Sequence, residues 1–325
     1  MPIDPQIQQL LNRGTGVPDT HTLSVQEARL QYERRIALMA TPAAVASVTE
    51  RSIAGPGGPL RLRVYRPEAN GPMAAVVFFH GSGFVLCSLD THDGMCRNLA
   101  AGSGCVVISV DYRLAPEHPF PAGLEDCVHA TRWTADNALS EGIDPRRLAV
   151  AGDSAGGTMA AAVALTLRDR GGPPLVAQLL IYPATDHYSA RWPSYASNAN
   201  GYGLTRETMI WFWDHYLPDS TAADAPYASP YRTASLRDLP PAFVSTAQYD
   251  PLRDEGEAYA ARLTAAGVPT VMCRYDGMNH GFLFWVGIVD MAGQAMADAC
   301  TWLREQTLEA SHSGQGPGGA APAVA

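Results

Sequence analysis

The sequence predicts an α/β fold in which a mostly parallel sheet is covered by helices on both faces. Three observations carry this. Six short runs, "MAAVVFFHG", "GCVVISVDYR", "RLAVAGDS", "VAQLLIYP", "PAFVSTAQYD" and "TVMCRYDG", are largely continuous in apolar residues and mostly β-branched or aromatic; strands of that kind are buried on both sides. Helical stretches lie between most of them, the alternation that builds a parallel sheet. The polar residues of chemical interest, His80, Asp111, Ser154, Asp250 and His280, fall at or just after the carboxyl ends of these runs, where open α/β sheets carry their sites.

Taken in order, residues 1 to about 40 read as amphipathic helix, with Leu23, Ala28, Leu30, Ile36, Leu38 and Met39 set among charges. Two strands with period-two alternation follow, "ASVTERSIAG" and "LRLRVYRP". The six buried runs come next. Residues 186–228 interrupt them with aromatics and turn residues and hold one clear helix, starting near Thr205, with Met209, Ile210, Phe212 and Trp213 apolar. This insertion is expected to pack over the edge of the sheet together with the N-terminal helices. The division that follows is a helical N-terminal cap (1–45), a sheet domain (46–185 and 229–309), a cap insertion (186–228) and a flexible C-terminal tail (310–325), which is poor in large apolar residues.

Composition narrows the function. With 325 residues, 46% of them hydrophobic, the chain can bury one large core. A net charge of −9 without a basic stripe argues against nucleic acid. The N-terminus lacks the basic and apolar regions of a secretory signal, and no apolar stretch approaches 18 residues, so a cytoplasmic enzyme is expected. The six cysteines are scattered without a CxxC pair and read as thiols rather than as a disulfide or zinc framework.

The chemistry centres on "AVAGDSAGGTMAAAVALTL". A strand leads into Ser154 and a long alanine-rich helix leads away, the context that a nucleophile elbow requires. Such a turn brings the residues two before and two after the serine together, so Gly152 and Gly156 leave no room for a Cβ, while Asp153 sits beside the serine. The helix start directs free N–H groups, chiefly that of Ala155, at the space next to the hydroxyl. Ser154 needs a base, and His280 in "YDGMNHGFLFW" stands in a glycine-flanked loop after the last run. The base needs an acid, and Asp250 in "STAQYDPLRDEG" follows the preceding run, with Pro251 ending the strand. Asp254 and Glu255 are rivals better suited to starting the next helix. A serine helix cap would account for Ser154 alone. Serine, acid and base in this chain order, each after a strand, point to nucleophilic catalysis. A second loop, "VVFFHGSGFV", carries His80 and Gly81 into a bend that can turn the N–H groups of Ser82 and Gly83 toward Ser154 from the other side.

Six motifs in order then resemble the hormone-sensitive-lipase-like branch of the α/β-hydrolases, bacterial esterase family IV: "HGSGF" at 80–84, "DYRLAPEHPFPA" at 111–122, "GDSAGG" at 152–157, "IYPATD" at 181–186, "DPLRDEG" at 250–256 and "HGF" at 280–282. The resemblance spans about residues 40 to 305. It implies an eight-stranded α/β-hydrolase sheet with a helical cap, catalytic roles for Ser154, Asp250 and His280, and an oxyanion hole from Ser82, Gly83 and Ala155. One departure stands out: the family usually has three glycines after the histidine, and here the second is Ser82. Arg113 and Glu117 are expected to form a buried pair behind this loop, with His118 equally structural. Phe84, Tyr202, Trp211, Phe212 and Phe282 are candidates for the substrate pocket. The expected activity is a serine carboxylesterase on short- to medium-chain esters, needing no cofactor or metal. The alternatives are a lipase on longer chains, an amide or thioester hydrolase, or a non-catalytic binder, which would be expected to have lost a triad member. A homodimer through the last strand, bearing Cys273 and Arg274, also fits the resemblance.

Overall fold

The computed structural model describes residues 1–69 and 71–313. Each apolar or alternating run of the sequence is a strand: β1 (Ser47–Gly55), β2 (Gly58–Arg66), β3 (Met73–Phe79), β4 (Val106–Val110), β5 (Ile143–Asp153), β6 (Ala177–Ile181), β7 (Ala242–Tyr249) and β8 (Thr270–Asn279). They form one sheet in the order β1-β2-β4-β3-β5-β6-β7-β8, with β2 antiparallel to both its neighbours and the pairs from β4 to β8 parallel.

Alternation along each strand divides the core. In β3, Ala75, Val77 and Phe79 join one apolar layer with the helices α4 (Ala122–Asp136), α5 (Ala155–Arg170) and α8 (Arg253–Ala265), while Ala74, Val76 and Phe78 join the other with α3 (Asp93–Ser103) and α9 (Asp290–Ser313). Helix α5 is buried at every position from Ala155 to Leu167. Its alanines and glycines explain how it can lie so close to the sheet: small side chains let backbones approach. Helix α9 runs to Ser313, past the boundary expected at residue 309, and the rest of the expected tail lies outside the described residues. Among the described residues no helix is long and apolar enough to cross a membrane.

The segments expected to form the cap hold α1 (Pro5–Arg13), α2 (Val25–Arg34), α6 (Pro193–Ser197) and α7 (Arg206–Tyr216). Helix α7 begins where the sequence puts it, capped by Thr205, whose hydroxyl accepts the Thr208 N–H. It does not lie over the sheet's edge. On its apolar face Trp213 and Tyr216 pack with Phe84, and Phe212 lies against Gly83, in the loop after β3, a central strand, because that loop offers the apolar cover that the face needs. The N-terminal segment meets it through His21 Nδ1, 3.3 Å from Thr208 Oγ1.

The expected Arg113–Glu117 pair does not form. Arg113 turns inward to Asp126 on α4, which is 2% exposed, and binds it with Nε–Oδ2 at 2.8 Å. Glu117 and His118 are exposed; Glu117 takes a two-pronged contact from Arg29 of α2, at 2.8 and 2.7 Å, which holds its carboxyl down at about 2. The loop between Arg113 and α4 sends the two side chains in different directions, so nearness in sequence does not become contact.

Candidate active site

Strand register assembles the site. Phe79 pairs with Gly152, Asp153 with Ile181, and Tyr249 with Asn279. The residues that follow these positions are thereby gathered at one end of the sheet.

Ser154 sits at the turn from β5 to α5 with φ +55° and ψ −120°, a conformation that a residue with a Cβ adopts only when its surroundings force it. The forcing contacts are backbone on backbone. A Cβ on Gly152 would come within 2.2 Å of the Gly156 carbonyl oxygen, and one on Gly156 within 1.9 Å of the Phe79 carbonyl oxygen. The Ser154 N–H donates to the Ile181 carbonyl at 2.8 Å, fastening the turn to β6. The residue keeps slight exposure, at 7%.

His280 Nε2 lies 2.9 Å from Ser154 Oγ, and its Nδ1 lies 2.7 Å from Asp250 Oδ2. Asp250 is fully buried, and its other oxygen accepts the Leu252 N–H at 2.8 Å. With one oxygen fixed by backbone and the other on the ring, the carboxylate holds the imidazole so that Nε2 faces the serine. The rivals lie apart from His280: Asp254 accepts the Ser194 N–H at 2.8 Å, and Glu255 is fully buried with neither carboxyl oxygen hydrogen-bonded, its carboxyl pushed well up by burial and then by Asp186. Asp111, the remaining strand-end acid, is bound by Arg61 at 2.9 Å.

The loop after β3 faces this turn. The Gly81 N–H donates to Asp153 Oδ1 at 2.9 Å, and a Cβ on Gly81 would strike the Asp153 carboxylate at 2.5 Å. Asp153 thus joins the two motifs. Ser82 (φ +79°) and Gly83 (φ +64°) follow in left-handed backbone. Ala155 is the first residue of α5, where N–H groups have no partner within the helix. His80 is fully buried, stacked on Tyr112 at 4.4 Å, and burial together with neighbouring His92 pushes it down to about 3, so it is neutral and no candidate base.

The pocket candidates separate. The ring of Phe212 occupies the space that a Cβ on Gly83 would take, so α7 touches the loop directly. Phe84 is stacked on Tyr216 at 3.8 Å, and Phe282 is fully buried beside Tyr182 and Tyr275. Tyr202 lies against Tyr249, and Trp211 against Phe212 and His215.

Several supporting residues carry no motif. His92 Nε2 stands 3.2 Å from Asp153 Oδ1. Asn198, which ends α6, donates to the Asp250 carbonyl at 3.0 Å, and Asn279 donates to the Tyr202 carbonyl at 2.8 Å, so residues 186–228 are bonded to the backbone of the acid and to the side chain next to the base. Arg29 Nε donates to the Val85 carbonyl at 3.0 Å. Only the placement of Asn279 next to His280 hints at such a role in the sequence.

A family model for the alpha/beta hydrolase fold matches residues 76–284. Esterase LipI of Mycobacterium tuberculosis is 46% identical over 254 residues, covering 76% of this chain and 78% of that protein. Carboxylesterase NlhH of the same organism is 41% identical over 303 residues, covering 90% and 92%. A hyperthermophilic esterase from the archaeon Pyrobaculum calidifontis superimposes with a TM-score of 0.91 at 43% identity, over 95% of this chain and 100% of that one. The chain belongs to the α/β-hydrolase family and is a carboxylic ester hydrolase.

Proposed function

We propose that this α/β-hydrolase cleaves short- to medium-chain carboxylic esters through an acyl-enzyme on Ser154. Ser154 Oγ attacks the ester carbonyl carbon as His280 Nε2 takes its proton, and Asp250 stabilises the imidazolium that results. The N–H groups of Ser82, Gly83 and Ala155 hold the oxyanion. The alcohol leaves with the proton from His280, and water then repeats the sequence on the acyl-enzyme. The observation that carries this reading is the Asp250–His280–Ser154 chain of hydrogen bonds, at 2.7 and 2.9 Å, ending on a serine held at φ +55°.

Residues 1–45 and 186–228 act in this reading as one cap over the sheet domain formed by residues 46–185 and 229–309. The contact of Phe212 with the loop at Gly83 supports the limit on chain length, since the cap rests beside the oxyanion donors. The test is hydrolysis of p-nitrophenyl esters from acetate to palmitate, with Ser154→Ala as control. The expected result is an optimum at short or medium chains and a loss of about 10⁴-fold or more in kcat on the substitution. Activity that climbs toward palmitate means that residues 186–228 open as a lipase lid. Activity that survives Ser154→Ala refutes the triad.

A further inference from the structure

Outside the triad, the most unusual backbone lies between residues 82 and 87. Ser82, Phe84 and Cys87 have φ of +79°, +66° and +70°, and only Gly83 among the left-handed residues there lacks a Cβ. Residues with a Cβ persist in that region only where surrounding contacts over-determine them. Most of the loop has such contacts: the Val85 and Leu86 N–H groups donate to the Ser82 carbonyl at 3.3 and 3.1 Å, the Ala115 N–H donates to the Phe84 carbonyl at 3.0 Å, and the Phe84 ring lies on Tyr216. The side chain of Ser82 has one partner of its own, the Cys87 thiol, which donates to Ser82 Oγ at 2.8 Å across the base of the turn. Burial pushes that thiol up to about 11, so it keeps its proton at neutral pH.

We propose that the Ser82–Cys87 hydrogen bond is a positioning clasp. It holds the turn in the conformation that directs the Ser82 and Gly83 N–H groups at the reacting carbonyl oxygen. Ser82 stands where the family usually carries glycine, so a side-chain contact takes over the work of fixing a loop that glycine would leave freer. The proposal rests on the reading of Ser82 and Gly83 as oxyanion donors. A clasp of this kind acts on the tetrahedral state, in which charge develops on the oxygen, more than on bound ester.

The test compares wild type, Cys87→Ala, Cys87→Ser, Ser82→Gly and the Ser82→Gly/Cys87→Ala double variant on p-nitrophenyl acetate. For each, kcat and KM are measured separately, together with inhibition by a trifluoromethyl ketone that forms the oxyanion. Cys87→Ala is expected to lower kcat and weaken the ketone by about fivefold, the size of one hydrogen bond, with KM changed by less than about twofold. Cys87→Ser keeps a donor and is expected to recover most of kcat. In the Ser82→Gly background, Cys87→Ala is expected to change nothing further. Cys87→Ala at wild-type kcat, or an equal loss in the Ser82→Gly background, overturns the clasp. Circular dichroism melts identify a variant that fails to fold; the Cys87→Ser and Ser82→Gly proteins then carry the comparison. Loss of activity in Ser154→Ala, measured alongside, separates a failed clasp from a failed triad.

Discussion

The serine turn and the loop after β3 follow adjacent strands, β5 and β3, and both need left-handed backbone, yet they are held by different means. At the turn one residue, Ser154, is strained, and its neighbours Gly152 and Gly156 press backbone against backbone. In the loop three residues with a Cβ are left-handed, and side chains add to the backbone bonds that hold it: the Asp153 carboxylate on the Gly81 N–H, Cys87 on Ser82, and the Phe84 ring on Tyr216. Geometry enforced by glycine is rigid and intolerant of change. Geometry enforced by side chains can be weakened one contact at a time.

Gly156→Ala should break the first kind outright. Its Cβ would meet the Phe79 carbonyl, which belongs to the central strand and cannot yield, so a loss of about 3 kcal/mol or more in folding stability is expected, with no esterase activity recovered. Urea unfolding of the purified variant, or its failure to accumulate as soluble protein, checks this.

Asp153→Ala should damage the second kind without destroying the turn. It removes the shorter of the two bonds that the buried Gly81 N–H makes, leaving the one to His92 Nε2 at 3.3 Å, at a cost of about 1 kcal/mol in stability. Ser154 is expected to remain labelled by an organophosphonate, but more slowly than in wild type. Unchanged labelling kinetics would mean that the loop does not depend on Asp153.

A further effect concerns pH. His80 belongs to the loop side and stays neutral when folded, at about 3 against an ordinary value of 6.5. The unfolded chain therefore binds a proton that the folded chain refuses. The stability from this site is complete above pH 6.5 and is lost as pH falls toward 3, by about 2 kcal/mol at pH 5, since each unit below the ordinary value is worth about 1.4 kcal/mol. His80→Gln should unfold with a flatter pH dependence over that window. Equal slopes for the two proteins would contradict this account.

The same contrast explains what could be read in the sequence. The strands announce themselves by period and composition, and the serine turn by glycines whose spacing follows from its geometry. Ser154, Asp250 and His280 were legible because each directly follows a strand, and register then brings strand ends together. The supporting contacts were not. Arg29 stands among the charges of "QEARLQYERR" and reads as solvated helix surface, yet it binds Val85 and Glu117. Asp126 is an acid within a helix, and nothing local marks it as the partner of Arg113. The Ser82–Cys87 bond joins two residues that no motif links. Pairings between elements depend on the direction in which loops send their side chains, and periodicity carries no record of that.

The central claim is that Ser154 is the nucleophile of a single esterase site. Its most direct test is titration with a p-nitrophenyl alkylphosphonate, following p-nitrophenol release and residual ester hydrolysis together and locating the adduct by peptide mass spectrometry. The account predicts one equivalent released per chain, an adduct on the peptide containing Ser154, and loss of hydrolysis in proportion to labelling. An adduct on another residue, or full hydrolysis after stoichiometric labelling of Ser154, would contradict it.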